Sequence, residues 1–300
     1  MARRLAFTLV ELLVVLGILA TLLALTLPAI QRVRGTLDRV ACLGKLRTLG
    51  RALADYHADK GYWPAGCGSV DSHMPFVGWQ TRLLPYLEQV ELWQQTQDAF
   101  RTQPFFQHVP PHTVQNRPMP LFVCPADYRV QRPRAIRGVL GTDVIVGFTS
   151  YLGVMGSNQF TRDGVLFVNS RIRQGDVADG LSTTLMVGER PPSTYFNTGW
   201  WYAGSGMDRR GTGDMVLGVR EFNTYGHDKP WRHDCGDGPF HFQRGRLDVQ
   251  CSMFHYWSLH PGGAHFLFCD GRATLLRYSA APVMAALASR AGQEAVQLPD

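Results

Sequence analysis

The spacing of hydrophobic positions changes along this chain, and each change predicts a different element. Phe7 to Leu27 is an apolar run of 21 residues with a single acid, Glu11, in its first turns. As a helix rising about 1.5 Å per residue, it is long enough to cross the roughly 30 Å hydrocarbon core of a bilayer. Beyond Pro28 the spacing turns periodic. Ile30, Val33, Leu37, Val40, Leu43, Leu46, Leu49, Leu53 and Tyr56 recur every three or four residues, while Arg32, Arg39, Lys45, Arg47 and Arg51 fall off that line. One apolar stripe on one helix is the expected result. The pattern predicts a helix from about Phe7 to about His57, bent at Pro28, where a backbone hydrogen bond is lost. Its first half lies in membrane and its second half packs on a globular domain. Gly61 and Pro64 end it.

The remainder reads as short elements between turns. Trp79 to Phe100 predicts a helix interrupted near Pro85. Thr149–Met155, Gly164–Val168, Thr183–Gly188, His265–Cys269 and Ala273–Tyr278 are apolar or alternating runs, hence strands. Asp270-Gly271 stands between the last two and signals a hairpin turn. The predicted class is α+β: a long amino-terminal helix laid on an antiparallel sheet.

Composition narrows the function. The 31 Gly and 18 Pro among 300 residues fit a turn-rich domain and disfavour a helix bundle. The net charge of +6 is scattered, with no run of five Lys or Arg and no recognition-helix or RNA-binding signature, so nucleic acid is not an expected partner. The six cysteines (Cys42, Cys67, Cys124, Cys235, Cys251 and Cys269) form no C-x-x-C pair, which argues against a zinc ribbon or a thioredoxin-type site. Their pairing stays open, although Cys235 and Cys251 are close enough along the chain to staple a loop.

Glu11 needs a reason, because a carboxylate near hydrocarbon costs on the order of a few kcal/mol unless it is paired or interfacial. A plain anchor does not explain it. A cleaved secretory signal would need a shorter apolar core and a better site than Leu27-Pro28-Ala29. The stretch "LAFTLVE" resembles the type IV prepilin cleavage and methylation motif: a short basic leader, a small residue at the cut, then Phe-Thr-Leu-Val-Glu. The resemblance implies a leader of residues 1–6, with Arg3 and Arg4 on the cytoplasmic side, cleavage between Ala6 and Phe7, and N-methylation of Phe7. Ala6 stands where such proteins usually have Gly. Residues 7–28 would then be the transmembrane helix, 29–58 its amphipathic continuation, and 59–300 an extracytoplasmic domain. Glu11 would pair with the free amine of a neighbouring subunit, because a buried charge is tolerated when an opposite charge meets it. Arg32, Arg34 and Arg39 follow the apolar run, and counting charges alone would put that flank in the cytoplasm. The motif is given precedence over the count.

A wider resemblance follows. "CLGKLRTLGRALADYHADKGYWP", "GWQTRLLPYLEQVELW", "FVCPAD", "GDVADGLSTTLMVGE" and "SLHPGGAHFLFCDGRATLL" occur in that order. Together they are similar to a family of prepilin-like proteins of unassigned function, known for a carboxy-terminal His-x9-Asp-Gly motif. Here that motif is His260 with Asp270-Gly271. Residues 195–253, rich in Trp, Gly, His and Cys, have no counterpart among these pieces and read as an insertion.

Candidate chemistry is sparse. No G-x-S-x-G, H-E-x-x-H or phosphate loop is present, so an enzyme is not expected. His255, His260 and His265 recur every five residues, a spacing that would face successive members to opposite sides of a strand. With His227, His233, His241, Cys235 and Cys251 nearby in sequence, a zinc site and loop histidines satisfied by backbone both stay open. Asp176, Asp179, Glu189 and Asp270 offer the hard oxygens that calcium prefers, and self-bonded turn residues are the alternative. No other cofactor is expected. His260 is expected to fold back beside the Asp270-Gly271 turn as a structural clasp.

The resulting expectation is a pilin-like or pseudopilin-like single-pass subunit of a type II secretion or type IV pilus assembly. It would sit in the cytoplasmic membrane with its carboxy-terminal domain outside. Its partners would be a prepilin peptidase and N-methyltransferase, other pilin-like subunits, an inner-membrane assembly platform and lipid. Two alternatives stand beside it. One is an anchored binding module whose Trp200, Trp201, Tyr202 and Trp231 take a ligand such as a carbohydrate. The other is a metal-dependent extracytoplasmic enzyme.

Overall fold

The structure is a computed structural model that describes residues 9–138, 141–225 and 234–294. The leader, Phe7, His227, Trp231 and His233 lie outside the described residues. Residues 1–40 and 41–300 form two units, described separately.

The first unit is helical throughout its described residues, the opening part of α1 (Leu9–Lys60). Its large apolar side chains are exposed, from Leu9 to Leu27 and again at Ile30, Val33, Leu37 and Val40. It is long and apolar enough to cross a membrane, as the run predicts.

In the second unit α1 is covered. Cys42, Leu46, Leu49, Ala52, Leu53 and Tyr56 are all buried. Within this unit the predicted stripe is buried from Cys42 onward. The helix predicted over Trp79–Phe100 resolves into α2 (Trp79–Arg82), a 3-10 turn (Leu84–Leu87) and α3 (Val90–Thr102). Pro85 has no N–H to give to a continuous helix, and Glu88 turns the chain at φ 60°.

The centre of this unit is a sheet of five strands. A small hairpin, β1 (Arg134–Arg137) with β2 (Asp143–Val146), precedes it. The sheet is built from β3 (Tyr151–Gly156), β4 (Leu185–Glu189) and β5 (Val216–Gly218). A two-stranded ribbon follows, β6 (Arg220–Glu221) with β7 (Phe240–His241). The sheet then closes with β8 (Gly263–Phe268) and β9 (Ala273–Arg277), in the order β5-β3-β4-β8-β9. All its pairs are antiparallel except β3 with β5, which is parallel, so the sheet is mixed. The class is α+β, as predicted.

Strand alternation sends the two faces to two cores. Tyr151, Met155, Val187 and Leu267 join Leu46, Leu49 and Leu53 of α1 in one cluster. Leu152, Val154, Phe266 and Phe268 join Met284 and Leu287 of the short helix α4 (Met284–Ala288) in the other. Burial on both sides explains why β3 reads as a continuous apolar run.

Gly164–Val168 forms no ladder of its own. Its backbone bonds go in turn to Met155, Val154 and Gly66, and only Val168 bridges Cys67. Residues 195–253, expected as an insertion, supply β5 and part of the first core: Trp201 and Tyr202 are 0% and 1% exposed. This segment is integral to the domain.

Candidate functional site

One cluster of chemically capable side chains is buried between α1 and the sheet, and four chain segments build it. Cys42 faces inward on α1 in line with Leu46 and Leu49, one turn apart. Lys45, one turn on, donates its ammonium protons to the carbonyls of Pro120 (2.7 Å) and Val123 (2.6 Å). These bonds tie the next segment to the helix and bring in Cys124. The amide of Cys124 donates to Ser150 Oγ at 3.0 Å, and the amide of Ser150 donates to the Phe122 carbonyl at 2.8 Å, so Cys124 is held at the foot of β3.

Glu189 is the last residue of β4, opposite Tyr151 in the ladder. His260 comes from the turn before β8. There Ser258 Oγ accepts the His260 amide at 3.0 Å and donates to the Gly263 carbonyl at 2.7 Å. Gly262 adopts φ +86°, which a residue with a Cβ resists.

The distances are short. Cys42 Sγ and Cys124 Sγ are 2.9 Å apart, both as free thiols. Cys124 Sγ lies 3.6 Å from His260 Nε2, which lies 3.4 Å from Glu189 Oε1. The four donor atoms all fall within 4.8 Å of one another, and no residue in the set is more than 4% exposed. The other carboxylate oxygen, Glu189 Oε2, accepts from His265 twice: from its amide at 2.7 Å and from Nδ1 at 3.0 Å. Oε1 accepts no hydrogen bond, and its contact with His260 Nε2 at 3.4 Å is an ion pair when the ring is protonated. It is a buried acceptor aimed into the cluster.

The electrostatics follow from burial and these partners. Burial alone would push the Glu189 acid up, but the close approach of His260 and then the bonds from His265 outweigh it and hold it at about 2. Burial alone would pull His260 down, but contact with Cys42 and then Glu189 raises it to about 10. The Cys42 thiol is pushed far above the ordinary range, first by Cys124 and then by burial. Two sulfurs, one imidazole and one carboxylate form a donor set that suits a transition ion.

The structure corrects several expectations. His260 does not return to Asp270-Gly271. It precedes β8 while that turn follows β8, so a six-residue strand, roughly 20 Å long, separates them. The predicted clasp is therefore absent, and His260 meets Glu189 and Cys124 instead. Asp270 Oδ1 accepts the Arg272 amide at 2.8 Å and shapes its own turn. Gly271, at φ +85°, packs against Gly50 of α1. The motif thus touches α1 at both ends, near Cys42 and near Gly50.

The proposed calcium set is not assembled. Asp176 accepts the Arg173 amide at 2.8 Å, and Asp179 accepts the amides of Gly292 and Gln293, each at 2.7 Å. Those oxygens are spent on backbone amides, and neither residue joins Glu189 in a cluster among the described residues. The histidine grouping is also revised. Cys235 and Cys251 are bonded to each other, so neither is a ligand. His255 is turned to the Tyr256 carbonyl at 3.2 Å. His260 and His265 do come together, with ring centroids 5.0 Å apart, because the turn at Gly262 breaks strand alternation. Trp201 and Tyr202 are packed in the core, and Trp200, 6% exposed, belongs to the same cluster while also lining a pocket with Asn197 and Asp214.

Sequence reasoning missed Cys42 and Cys124. The signal was present: "CLGKL", "FVCPAD", "LMVGE" and "SLHPGG" each deliver one donor, and all four lie in the segments that carried the family resemblance.

The sequence model of a family described as a protein of unknown function (DUF1559) matches residues 34–282. No curated protein and no solved structure matches the chain.

Proposed function

Since the chain belongs to the DUF1559 family, whose function is unassigned, we propose that it is a pilin-like single-pass membrane subunit that assembles with similar subunits through α1. One observation carries this reading. Beyond the 19 residues from Leu9 to Leu27, which account for roughly 30 Å of membrane, the apolar stripe continues exposed at Ile30, Val33, Leu37 and Val40. These positions recur at three- and four-residue steps, so they line one face of the helix. A simple anchor has no use for an apolar face outside the bilayer. A helix packed among its own kind does, because each such side chain contributes on the order of 1–2 kcal/mol when covered.

The amino-terminal motif supports the same reading. A prepilin peptidase would cut between Ala6 and Phe7, and Phe7 would be methylated. Glu11 would meet the amine of a neighbouring Phe7 and so set the register of assembly. The domain would lie outside the cytoplasmic membrane, where the Cys235–Cys251 disulfide is chemically at home. In this reading the protein performs no catalysis, and an assembly platform and lipid are its further partners.

The test is the mass and amino-terminal sequence of the mature protein, read together with a sheared-filament fraction. The expected terminus is methylated Phe7, with Ala6→Asp accumulating as the full-length precursor. Glu11→Val should still be processed but be lost from the sheared fraction. A terminus at Ala29 or Ile30 would mark a secretory signal and overturn the reading.

A further inference from the structure

We propose that Cys42, Cys124, Glu189 and His260 form a closed, structural zinc site that fastens the buried stretch of α1 to the sheet. The inference rests on the fold of residues 41–300 and is independent of the assembly reading.

The donor set comes first. Thiolate and imidazole ligands select zinc among the common divalent ions, and calcium or magnesium would want oxygen alone. The four donors come from α1, the segment before β3, the end of β4 and the turn before β8, so no local motif accounts for their meeting. With metal–sulfur bonds of about 2.3 Å and metal–nitrogen or –oxygen bonds of about 2.0–2.2 Å, tetrahedral edges run from about 3.3 to 3.8 Å. The His260–Glu189 edge of 3.4 Å and the Cys124–His260 edge of 3.6 Å already fit. The sulfur pair at 2.9 Å must open by roughly 0.9 Å, which two thiol side chains can supply by small χ1 rotations.

A second observation is compatible with an ion: Glu189 Oε1 is buried, accepts no hydrogen bond, and lies with the two sulfurs and the imidazole, its contact with His260 Nε2 being an ion pair at 3.4 Å. An unmet buried acceptor costs on the order of 1–3 kcal/mol, and a cation removes that cost. The surroundings match those of a metal ligand as well. His265 holds Oε2 through two bonds, leaving Oε1 oriented inward, and Ser150 fixes the Cys124 backbone. A Cys42–Cys124 disulfide is the competing chemistry. It would satisfy the sulfurs and leave Oε1 with only its 3.4 Å ion pair to His260. Four protein donors leave no open position for substrate, so the site is structural and not catalytic.

The experiment uses the full chain, extracted from membranes in detergent without added metal. Elemental analysis should find about one zinc per chain. After denaturation without reductant, Cys42 and Cys124 should both be alkylated, while Cys235 and Cys251 remain blocked. Cys42→Ala, Cys124→Ala and Glu189→Gln should each lose the zinc, and Cys67→Ala should keep it. If those variants fail to fold, the wild type still decides the matter. A chelator should lower its melting temperature, and cobalt added back should restore that temperature and give thiolate-to-cobalt charge-transfer absorption. Zinc-free protein whose Cys42 and Cys124 resist alkylation until reduced would establish the disulfide and overturn the proposal. So would free thiols that bind neither zinc nor cobalt.

Discussion

Two stretches of α1 share one spacing and have opposite fates. From Ile30 to Val40 the apolar stripe is exposed, at 53–62% of each side chain, whereas Leu46, Leu49 and Leu53 are at most 1% exposed. Nothing in the periodicity distinguishes them. What differs is the covering. The second stretch lies under β3, β4 and β8 and under the segment held by Lys45, and the first has no such cover among the described residues. A hydrophobic stripe therefore specifies a face and leaves its partner unspecified. For one stretch the partner is the same chain, and for the other we propose that it is another subunit.

The strongest way to break this comparison is to place the same charge in both stretches. Leu49→Asp buries a carboxylate in the core and should cost more than about 4 kcal/mol, leaving the domain unfolded at ordinary temperature. Leu37→Asp should leave the melting temperature of the detergent-solubilised full chain within about 1 °C, because surface changes cost little. It should instead remove the protein from the sheared-filament fraction. If Leu37→Asp melts as early as Leu49→Asp, the first stretch is packed on its own domain and the contrast is false.

Glycines sharpen the contrast at smaller scale. A Cβ on Gly50 would sit 2.9 Å from Leu267 Cδ1 and 3.6 Å from Gly271 Cα, whereas one on Gly35 would meet nothing within 4 Å. Gly50→Val should therefore cost about 1–3 kcal/mol by overpacking the helix against the β8–β9 turn. Gly35→Val should leave the thermal melt of the domain unmoved. Equal melting of the two variants would mean that the Asp270-Gly271 turn does not dock α1.

The smallest effect is one of pH, and it belongs to the second unit alone, because residues 9–40 carry no histidine. Burial pulls His255 down to about 4 from its ordinary value of 6.5. The folded state thus favours the neutral ring, and its contribution is present above 6.5 and is lost as pH falls from 6.5 towards 4. At pH 5.5 the loss should be about 1 kcal/mol relative to pH 7.5. His255→Phe should flatten that part of a stability profile measured by urea titration. An unchanged slope in the variant would show that His255 is not the group responsible.

Much of the architecture could be read directly from local pattern. The run Phe7–Leu27, the stripe after Pro28, the hairpin at Asp270-Gly271 and four of the five strands of the central sheet follow from periodicity and turn chemistry, because those signals act over a few residues. The burial of Trp201 and Tyr202 could not be read in this way. A Trp-rich stretch has the same composition whether it lines a core or a ligand surface. The calcium set failed for a related reason. Asp176 and Asp179 have the right oxygens, but each spends them on neighbouring amides, and sequence shows only that an oxygen is present.

The site itself marks the boundary between the two kinds of information. The sequence alone determined that an apolar stripe runs along a helix through Leu43, Leu46 and Leu49, that Glu189 follows the strand read at Thr183–Gly188, and that His260 precedes a turn. That Cys42, Cys124, Glu189 and His260 meet within 4.8 Å was decided only by the tertiary structure. Local pattern is set by steric and hydrogen-bonding preferences within a turn or two of chain. The meeting of residues 42, 124, 189 and 260 depends instead on strand order, on the Lys45 bonds to Pro120 and Val123, and on the turn at Gly262. Those are cooperative choices of the whole domain, stabilised by two cores on either side of one sheet, and no window of sequence contains them.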